Sequence, residues 1–194
     1  MEIIKTKIED LVIIKPRVFF DERGYFFETY HQKKFLEQSL KTSFVQDNLS
    51  KSSYGVVRGL HFQHGDDAQA KLVTVLSGKV FDVAVDIRPN SPTFGQWHGV
   101  ELSDENHLQF FIPRGFAHGF SVLSETAIFS YKCDNFYNPQ AEDGISLFDS
   151  NLKIDWQIPE NQMIISEKDK LHGELQITNY ASTSLSDRSS ARAH

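Results

Sequence analysis

The chain has 194 residues, which corresponds to one domain of ordinary size that can bury a hydrophobic core without disulfide or metal staples. A net charge of -6 and a sequence pI near 5.7 disfavour non-specific binding to nucleic acid, although local basic residues can still hold a small anionic ligand. The single cysteine, Cys133, excludes an intrachain disulfide framework, and neither a signal peptide nor a membrane-spanning apolar run is visible, so we expect a cytoplasmic protein with no membrane partner.

Short runs rich in Val, Ile and Phe recur between turn signals along the chain. Their lengths and spacing predict antiparallel strands. The runs are Val12–Ile14, Leu72–Leu76, Val80–Ile87, Gln109–Ile112 and Ile128–Tyr131. Turn sequences separate or end several of them, namely Ser77-Gly78, Pro89–Pro92 and Pro113–Gly115. This alternation predicts an all-β sandwich or barrel.

Helix is a minor component of the prediction. The clearest helical candidate runs from His31 to Leu40, and the region from Asp149 to Lys170 is expected to hold loops and short turns. We expect residues 1–178 to form a single domain. The Ser- and Ala-rich residues 179–194 have little to bury, which predicts a polar, flexible tail.

Three basic side chains are candidates for binding a diphosphate. Arg23 precedes a glycine turn and Arg58 precedes Gly59, so each can present a planar set of donors, and Lys168 adds a third cation. The run Gln46–Asn48 offers amide groups of the kind that contact a pyrimidine edge or sugar hydroxyls. Ordinary surface salt bridges are the alternative interpretation for each of these residues.

His61 and Lys71 place a base and a cation in apolar, strand-like sequence. A neutral imidazole can take a proton from carbon, and a nearby ammonium can stabilise the negative charge left behind. The pair therefore suggests enolate chemistry. The alternative is a core histidine bonded to a backbone carbonyl, with Lys71 on a solvated face.

The run Ile112–Phe120 resembles the second motif of cupin barrels, in which a Pro-x-Gly turn precedes a histidine. Metal-binding cupins pair this motif with an earlier His-x-His, whereas His61 and His64 here are separated by two residues, one of which is Gln63. The metal site looks incomplete, so we expect no metal. His118 is then a substrate-contacting or structural histidine, and a metal-dependent cupin enzyme stays an alternative.

Taken together, these segments resemble the dTDP-4-dehydrorhamnose 3,5-epimerase family from about Ile4 to Asp169. The resemblance is carried by Asp21–Gly24, Phe44–Asn48, Val57–Gln63, Gln69–Val73, Phe81–Arg88, Ser91–Trp97 and Pro113–Phe120. It implies a cupin-like jelly-roll fold with a few short helices, a homodimer, no cofactor and a role in dTDP-L-rhamnose synthesis.

The resemblance also implies roles for individual residues. His61 matches the proton-abstracting base and Asp169 its carboxylate partner, while Tyr131 matches the proton donor on the opposite face of the sugar. Lys71 matches the cation near the carbonyl oxygen, and Tyr137 matches the ring that stacks on thymine. The other nucleotide and sugar contacts map to Arg23, Glu28, Gln46, Asp47, Asn48, Arg58, His118, Glu142 and Lys168.

The expected activity is inversion of C3 and C5 of dTDP-4-dehydro-6-deoxy-D-glucose, giving dTDP-4-dehydro-L-rhamnose. Both carbons are α to the C4 ketone, so loss of either hydrogen gives an enolate with its charge on O4. Three alternatives stay open besides this one. They are a single-position epimerase of a related dTDP-4-keto sugar, a metal-dependent cupin enzyme and a non-catalytic sugar-nucleotide binding module.

Overall fold

A computed structural model describes residues 1–176 of the protein. Antiparallel strands dominate this part of the chain, with one α-helix, α1, at Gln32–Glu37 and three 3-10 turns at Gly65–Asp67, Glu160–Gln162 and Asp169–Leu171. The strands are β1 Glu2–Lys5, β2 Val12–Lys15, β3 Phe19–Asp21, β4 Gly24–Phe26, β5 Gln46–Ser53, β6 Val57–Gln63, β7 Lys71–Ser77, β8 Lys79–Asp86, β9 Trp97–Ser103, β10 Gln109–Ile112, β11 Phe116–Val122, β12 Thr126–Cys133 and β13 Glu142–Gly144.

Two antiparallel sheets face each other, and a separate hairpin joins β3 to β4. One sheet has six strands in the order β1-β2-β10-β7-β12-β5, and the other has five in the order β13-β6-β11-β8-β9. Apart from the consecutive pairs β1-β2 and β8-β9, neighbouring strands in each sheet are not consecutive in the chain, as in a jelly roll. The prediction of an all-β, cupin-like jelly roll is confirmed.

The main hydrophobic core lies between the two sheets. Val73 and Phe129 of the six-stranded sheet pack there against side chains of the other sheet such as Val80, Ala84 and Phe120. Because side chains alternate across a strand, the intervening residues point outward and need their own cover. The interior of the sandwich is therefore apolar except where a polar residue falls in the inward register.

Each sheet has a second apolar layer on its outer face. Helix α1 places Phe35 against Ile14 and Leu72, outside the six-stranded sheet. The C-terminal loops place Trp156 and Leu147 against the outer face of the five-stranded sheet. The C-terminal region is thus a structural layer, which brings Asp169 to the end of β6 that carries the site.

The predicted strands are all present, and β8 spans Lys79–Asp86 where Val80–Ile87 was predicted. The predicted helix His31–Leu40 is wrong at both ends, because His31 is extended and Ser39 has φ +65°, which breaks the helical path.

The predicted tail, residues 179–194, lies outside the described residues. No helix in residues 1–176 is long and apolar enough to cross a membrane.

Candidate active site

Strand alternation places four polar side chains inside the sandwich. Lys71 has the same inward register as Val73 and Val75 on β7, and Tyr131 follows Phe129 inward on β12. On the opposing sheet, Asp82 lies between the inward-facing Val80 and Ala84 of β8, and His118 lies between Phe116 and Phe120 of β11. The two sheets therefore bring these four side chains into one interior.

His61 enters the same region from β6, where it pairs in register with His118 of β11. The two strands approach closely at their glycines: a Cβ at Gly59 would lie 2.5 Å from the Cα of Gly119. Only glycine fits at this contact, because the atoms it would meet belong to the backbone. The close approach at Gly59 thus sets the position from which His61 reaches the interior.

Asp169 is the hydrogen-bond partner of His61. The Nε2 of His61 lies 2.8 Å from Oδ1 of Asp169, which is 5% exposed. The backbone N–H of Gly59 donates to Oδ2 of Asp169 at 3.4 Å, and Ser166 Oγ accepts the backbone N–H of Asp169 at 3.1 Å. Both oxygens of the carboxylate are therefore engaged, and the first residue of the 3-10 turn is anchored through its backbone N–H.

The electrostatic environment keeps His61 neutral but usable as a base. Burial lowers the pKa of His61 below its ordinary value, while the hydrogen bond and the charge of Asp169 act to raise it. Since the Asp169 carboxylate accepts the Nε2–H, Nδ1 is the nitrogen with the free lone pair. His61 is thus oriented, unprotonated at neutral pH and able to accept a proton at Nδ1.

Lys71 is the cation of the interior. Its side chain forms no hydrogen bond or ion pair within residues 1–176, and its Nζ lies 5.8 Å from the centre of the Tyr131 ring. Burial lowers the pKa of Lys71, whereas the nearby Cys133, Asp82 and Glu142 act to raise it. The ammonium is therefore unneutralised by any direct partner and can pair with a negative oxygen on a ligand.

Tyr131 faces the interior with a protonated phenol. Burial raises its pKa above the usual value, and the neighbouring Cys133 acts in the same direction. A phenol of this kind keeps its proton at neutral pH and can donate it to a strong base such as a carbanion. Within the described part of the chain, no hydrogen bond engages the Tyr131 hydroxyl.

His118 belongs to a second, fully enclosed pair with Asp82. The Nε2 of His118 lies 2.9 Å from Oδ1 and 3.1 Å from Oδ2 of Asp82, which is completely buried. Burial raises the pKa of Asp82, while the nearby His118 and Lys71 act to lower it. Sequence reasoning did not single out Asp82. Its position as an acidic residue in an otherwise apolar strand was the feature that could have identified it.

Two cavities meet at the reactive residues. His61, Lys71 and Tyr131 line both of them. One cavity, of about 80 Å³, continues to Gln69, Tyr137 and Glu142 among others. The second, of about 270 Å³, continues to Asn48, Arg58 and His118 among others. The three residues therefore lie at the junction of one continuous cleft that has room on both sides.

The predicted nucleotide contacts form a connected rim around the first cavity. Tyr137 donates its hydroxyl to Glu142 at 2.8 Å, and Glu142 also pairs with Lys168. Gln46 accepts the backbone N–H of Tyr137 at 3.1 Å and donates to Asn48 at 3.0 Å. The structure brings these five residues together, with Tyr137 half-exposed at the mouth, and their role as nucleotide contacts stays a prediction.

Three of the predicted nucleotide and sugar contacts lie away from the cleft in the single chain. Asp47 alternates to the outer face of β5, where it pairs with Lys132 at 2.9 Å. Arg23 is 84% exposed at the tip of the β3–β4 hairpin and pairs with Asp21 at 2.5 Å. Glu28 pairs with Lys34 and lines a different cavity. None of the three lines the cleft around His61.

Within residues 1–176, the histidines do not assemble the His-x-His metal-ligand set of a metal cupin. His64 turns to Asp143 at 2.9 Å on the surface, and Gln63 is bonded to the backbone of Asp67 and Asn138. Within residues 1–176, one group has three donors close enough to hold a metal, and it consists of His61, Asp169 and His172. His172 is a residue that sequence reasoning missed, and no local pattern pointed to it.

The chain was compared with known families and structures. A family model described as dTDP-4-dehydrorhamnose 3,5-epimerase matches residues 5–176. The dTDP-4-dehydrorhamnose 3,5-epimerase of Salmonella typhimurium is 57% identical over 164 residues, which cover 82% of this chain and 90% of that relative.

Two solved structures are similar over nearly the whole described fold. A dTDP-4-dehydrorhamnose 3,5-epimerase from Elizabethkingia anophelis is 61% identical with a TM-score of 0.88, and the match covers 93% of this chain and 99% of the other. A dTDP-6-deoxy-D-glucose-3,5-epimerase from Legionella pneumophila, in complex with dTDP-4-keto-L-rhamnose, is 52% identical with a TM-score of 0.86, covering 89% and 92% of the two chains.

Proposed function

The chain belongs to the dTDP-4-dehydrorhamnose 3,5-epimerase family, and we propose that it inverts C3 and C5 of dTDP-4-dehydro-6-deoxy-D-glucose by proton transfers at His61 and Tyr131. The product is dTDP-4-dehydro-L-rhamnose. The observation that carries the mechanism is that His61, Lys71 and Tyr131 meet at the junction of the two cavities. A base, a cation and an acid are the groups that an enolate mechanism requires.

His61 removes the proton from carbon. Its Nδ1 holds the free lone pair because Nε2–H is bonded to Asp169, and the carboxylate stabilises the imidazolium that forms when the proton arrives. Both target carbons are α to the C4 ketone, so the same base can serve C3 and C5 in turn if the sugar ring shifts between the two steps. The negative charge moves to O4 in each case.

Lys71 and Tyr131 complete the reaction from the other sheet. Lys71 has no direct partner in the described fold, so its ammonium is available to the enolate oxygen, where the charge develops. His61 comes from the five-stranded sheet and Tyr131 from the six-stranded sheet. A sugar ring held between the sheets therefore faces the base on one side and the acid on the other, which is the arrangement that inversion needs.

The second cavity and the rim favour a nucleotide-linked substrate. Arg58 lines the second cavity beside Asn48 and His118, and a guanidinium there can bind phosphate oxygens through two donors. Tyr137 is half-exposed beside the first cavity, where its ring offers a stacking surface for the thymine base. A non-catalytic binding module would use Arg58 and Tyr137 without needing His61 and Tyr131 on opposing sheets.

We further propose that the protein acts as a homodimer, in which Arg23 and Glu28 reach the partner's cleft. The β3–β4 hairpin next to them exposes Phe19, Phe20 and Phe26, each more than half accessible in the single chain. Such an apolar hairpin is stabilised when a second subunit covers it. The cytoplasmic location stays a prediction.

A mixing experiment tests the shared site. Arg23→Ala and His61→Ala are each expected to be nearly inactive alone. After the two variants are unfolded and refolded together, mixed dimers contain one cleft that carries both native residues, so up to about a quarter of the wild-type activity should return. No recovery, with a dimer confirmed by light scattering, contradicts the shared cleft.

Activity after metal removal tests the class of the enzyme. The purified protein is dialysed against a chelator and assayed for conversion of dTDP-4-dehydro-6-deoxy-D-glucose by NMR. The proposed chemistry uses no Lewis acid, so conversion should continue at the untreated rate. Loss of activity that returns with one divalent ion would favour a metal-dependent cupin enzyme. In the same assay run in deuterated water, deuterium at one carbon alone would favour a single-position epimerase.

A further inference from the structure

We propose that His61, Asp169 and His172 form a binding site for a transition-metal dication, and that a bound Zn²⁺ switches off the base. One donor atom from each residue lies within 4.8 Å of the others. The His61–Asp169 contact is already at 2.8 Å, and the rings of His61 and His172 are 5.8 Å apart in an edge-on arrangement. The inference rests on the proposed role of His61 and concerns the control of that same site.

His172 has a donor atom that the protein fold leaves without a partner. Its Nε2 is buried and forms no hydrogen bond to any residue in 1–176. The ring lies directly on Gly144, where a Cβ would come within 2.5 Å of that nitrogen, and Gly144 pairs in register with His61. A buried imidazole nitrogen that lacks a partner loses its hydrogen bond to water, and a ligand that accepts its lone pair restores the loss.

The donor set matches the preferences of zinc. Two imidazoles and one carboxylate form a common three-residue zinc set, with a fourth position left for water. Zinc–nitrogen bonds are about 2.0–2.1 Å, which places tetrahedral donors roughly 3.4 Å apart. The three donors need to shift by about 1 Å or less each from their present separations to reach that geometry. The His61 side chain is 30% exposed, whereas Asp169 is 5% exposed.

Zinc at this site removes the base without any covalent step. When Zn²⁺ binds Nε2 of His61, it replaces the Nε2–H that Asp169 accepts. The neutral ring then carries its proton on Nδ1, the atom whose lone pair accepts the substrate proton. The ring keeps one proton before and after binding, but the lone pair has moved from the substrate side to the metal. Inhibition should therefore follow occupancy of the site.

Calorimetric titration and the epimerase assay, run on the same chelator-treated protein, test the proposal. Wild-type protein should bind one Zn²⁺ per chain, and activity should fall in proportion to occupancy and return with chelator. In metal sites generally, loss of a residue that only orients a metal-ligating side chain weakens metal binding about 10–100-fold, and this sets the scale for losing a ligand itself. Loss of the ligand His172 in His172→Gln should weaken Zn²⁺ binding by about tenfold or more and raise the inhibitory concentration equally. His172→Ala is the second variant if glutamine distorts the loop.

His64→Ala is the matched control, because His64 also lies beside a carboxylate, Asp143, but on the surface and outside the three-donor group. It should bind Zn²⁺ as the wild type does. Zinc binding that is equally tight in His172→Gln and wild type overturns the inference while leaving the proposed function intact. A chelated enzyme that is inactive until Zn²⁺ is added overturns both, since the metal would then activate the site.

Discussion

The close approach of β6 and β11 should make Gly59 one of the least replaceable residues near the site. Gly59 has φ +125°, which L side chains rarely adopt, and its Cβ would lie 2.5 Å from Gly119 Cα and 2.9 Å from the carbonyl oxygen of His118. Both atoms are backbone, so no side-chain rotation relieves the contact. In Gly59→Ala the two strands must separate by about 1 Å to reach ordinary van der Waals distance.

A control variant separates the backbone strain of Gly59→Ala from its steric overlap with β11. Gly24 has nearly the same backbone conformation, φ +129°, but no atom within 4 Å of its Cβ position. Gly24→Ala should therefore cost only the backbone strain, about 1–3 kcal/mol. Gly59→Ala adds overpacking of about 1–3 kcal/mol. We expect it to be more destabilising than the control by that second amount.

Urea unfolding at one fixed protein concentration measures both variants, and the epimerase assay measures the consequence for His61. His61 lies two residues beyond Gly59 on β6. A displacement of about 1 Å there should lower kcat by about a hundredfold in Gly59→Ala. Equal unfolding free energies in the two alanine variants, together with a wild-type kcat in Gly59→Ala, would refute the claim that this contact positions the base.

The remaining predictions concern the three other reactive groups. Lys71→Met keeps the apolar stem beside Tyr131 but removes the charge, and should lower kcat about 10²–10³-fold. The control Lys79→Met, on the surface, should leave kcat unchanged. Steady-state kinetics measures both variants. Tyr131→Phe should lower formation of the L-configured product by about a hundredfold or more while deuterium exchange from solvent continues, as followed by NMR. Asp169→Asn removes the partner that raises the pKa of His61, so this pKa should fall further. The acid limb of the pH–rate profile should then move to lower pH, and kcat should drop because the base is weaker. An acid limb that stays in place would contradict the assigned pairing.

Much of the interior could be predicted from strand alternation and turn signals. Residues of β7 are buried on both faces, with Leu72 in the outer layer and Val73 in the main core, and period-two alternation puts Lys71 on the same side as Val73 and Val75. The same periodicity places Tyr131 beside Phe129. Strand geometry converts sequence spacing into relative direction, so it groups each polar residue with its apolar neighbours, but it does not say which face is the interior.

Residues placed by tertiary contacts could not be found in that way. Asp169 lies 108 positions from His61 and meets it only because the C-terminal layer packs on the five-stranded sheet, so its role came from family resemblance. His172 follows it on a loop with no periodicity to read. Arg23 lies in a hairpin that is exposed in the single chain, and its predicted role as a substrate contact stays a prediction.

The location of solvent deuterium in the substrate tests the central claim most directly. Wild-type and His61→Asn proteins are incubated with dTDP-4-dehydro-6-deoxy-D-glucose in deuterated water, and the label is located by NMR. The account predicts deuterium at both C3 and C5 with the wild type, and a loss of about a hundredfold or more at both carbons with His61→Asn while the nucleotide still binds. Exchange at the wild-type rate in His61→Asn would contradict the assignment of His61 as the base.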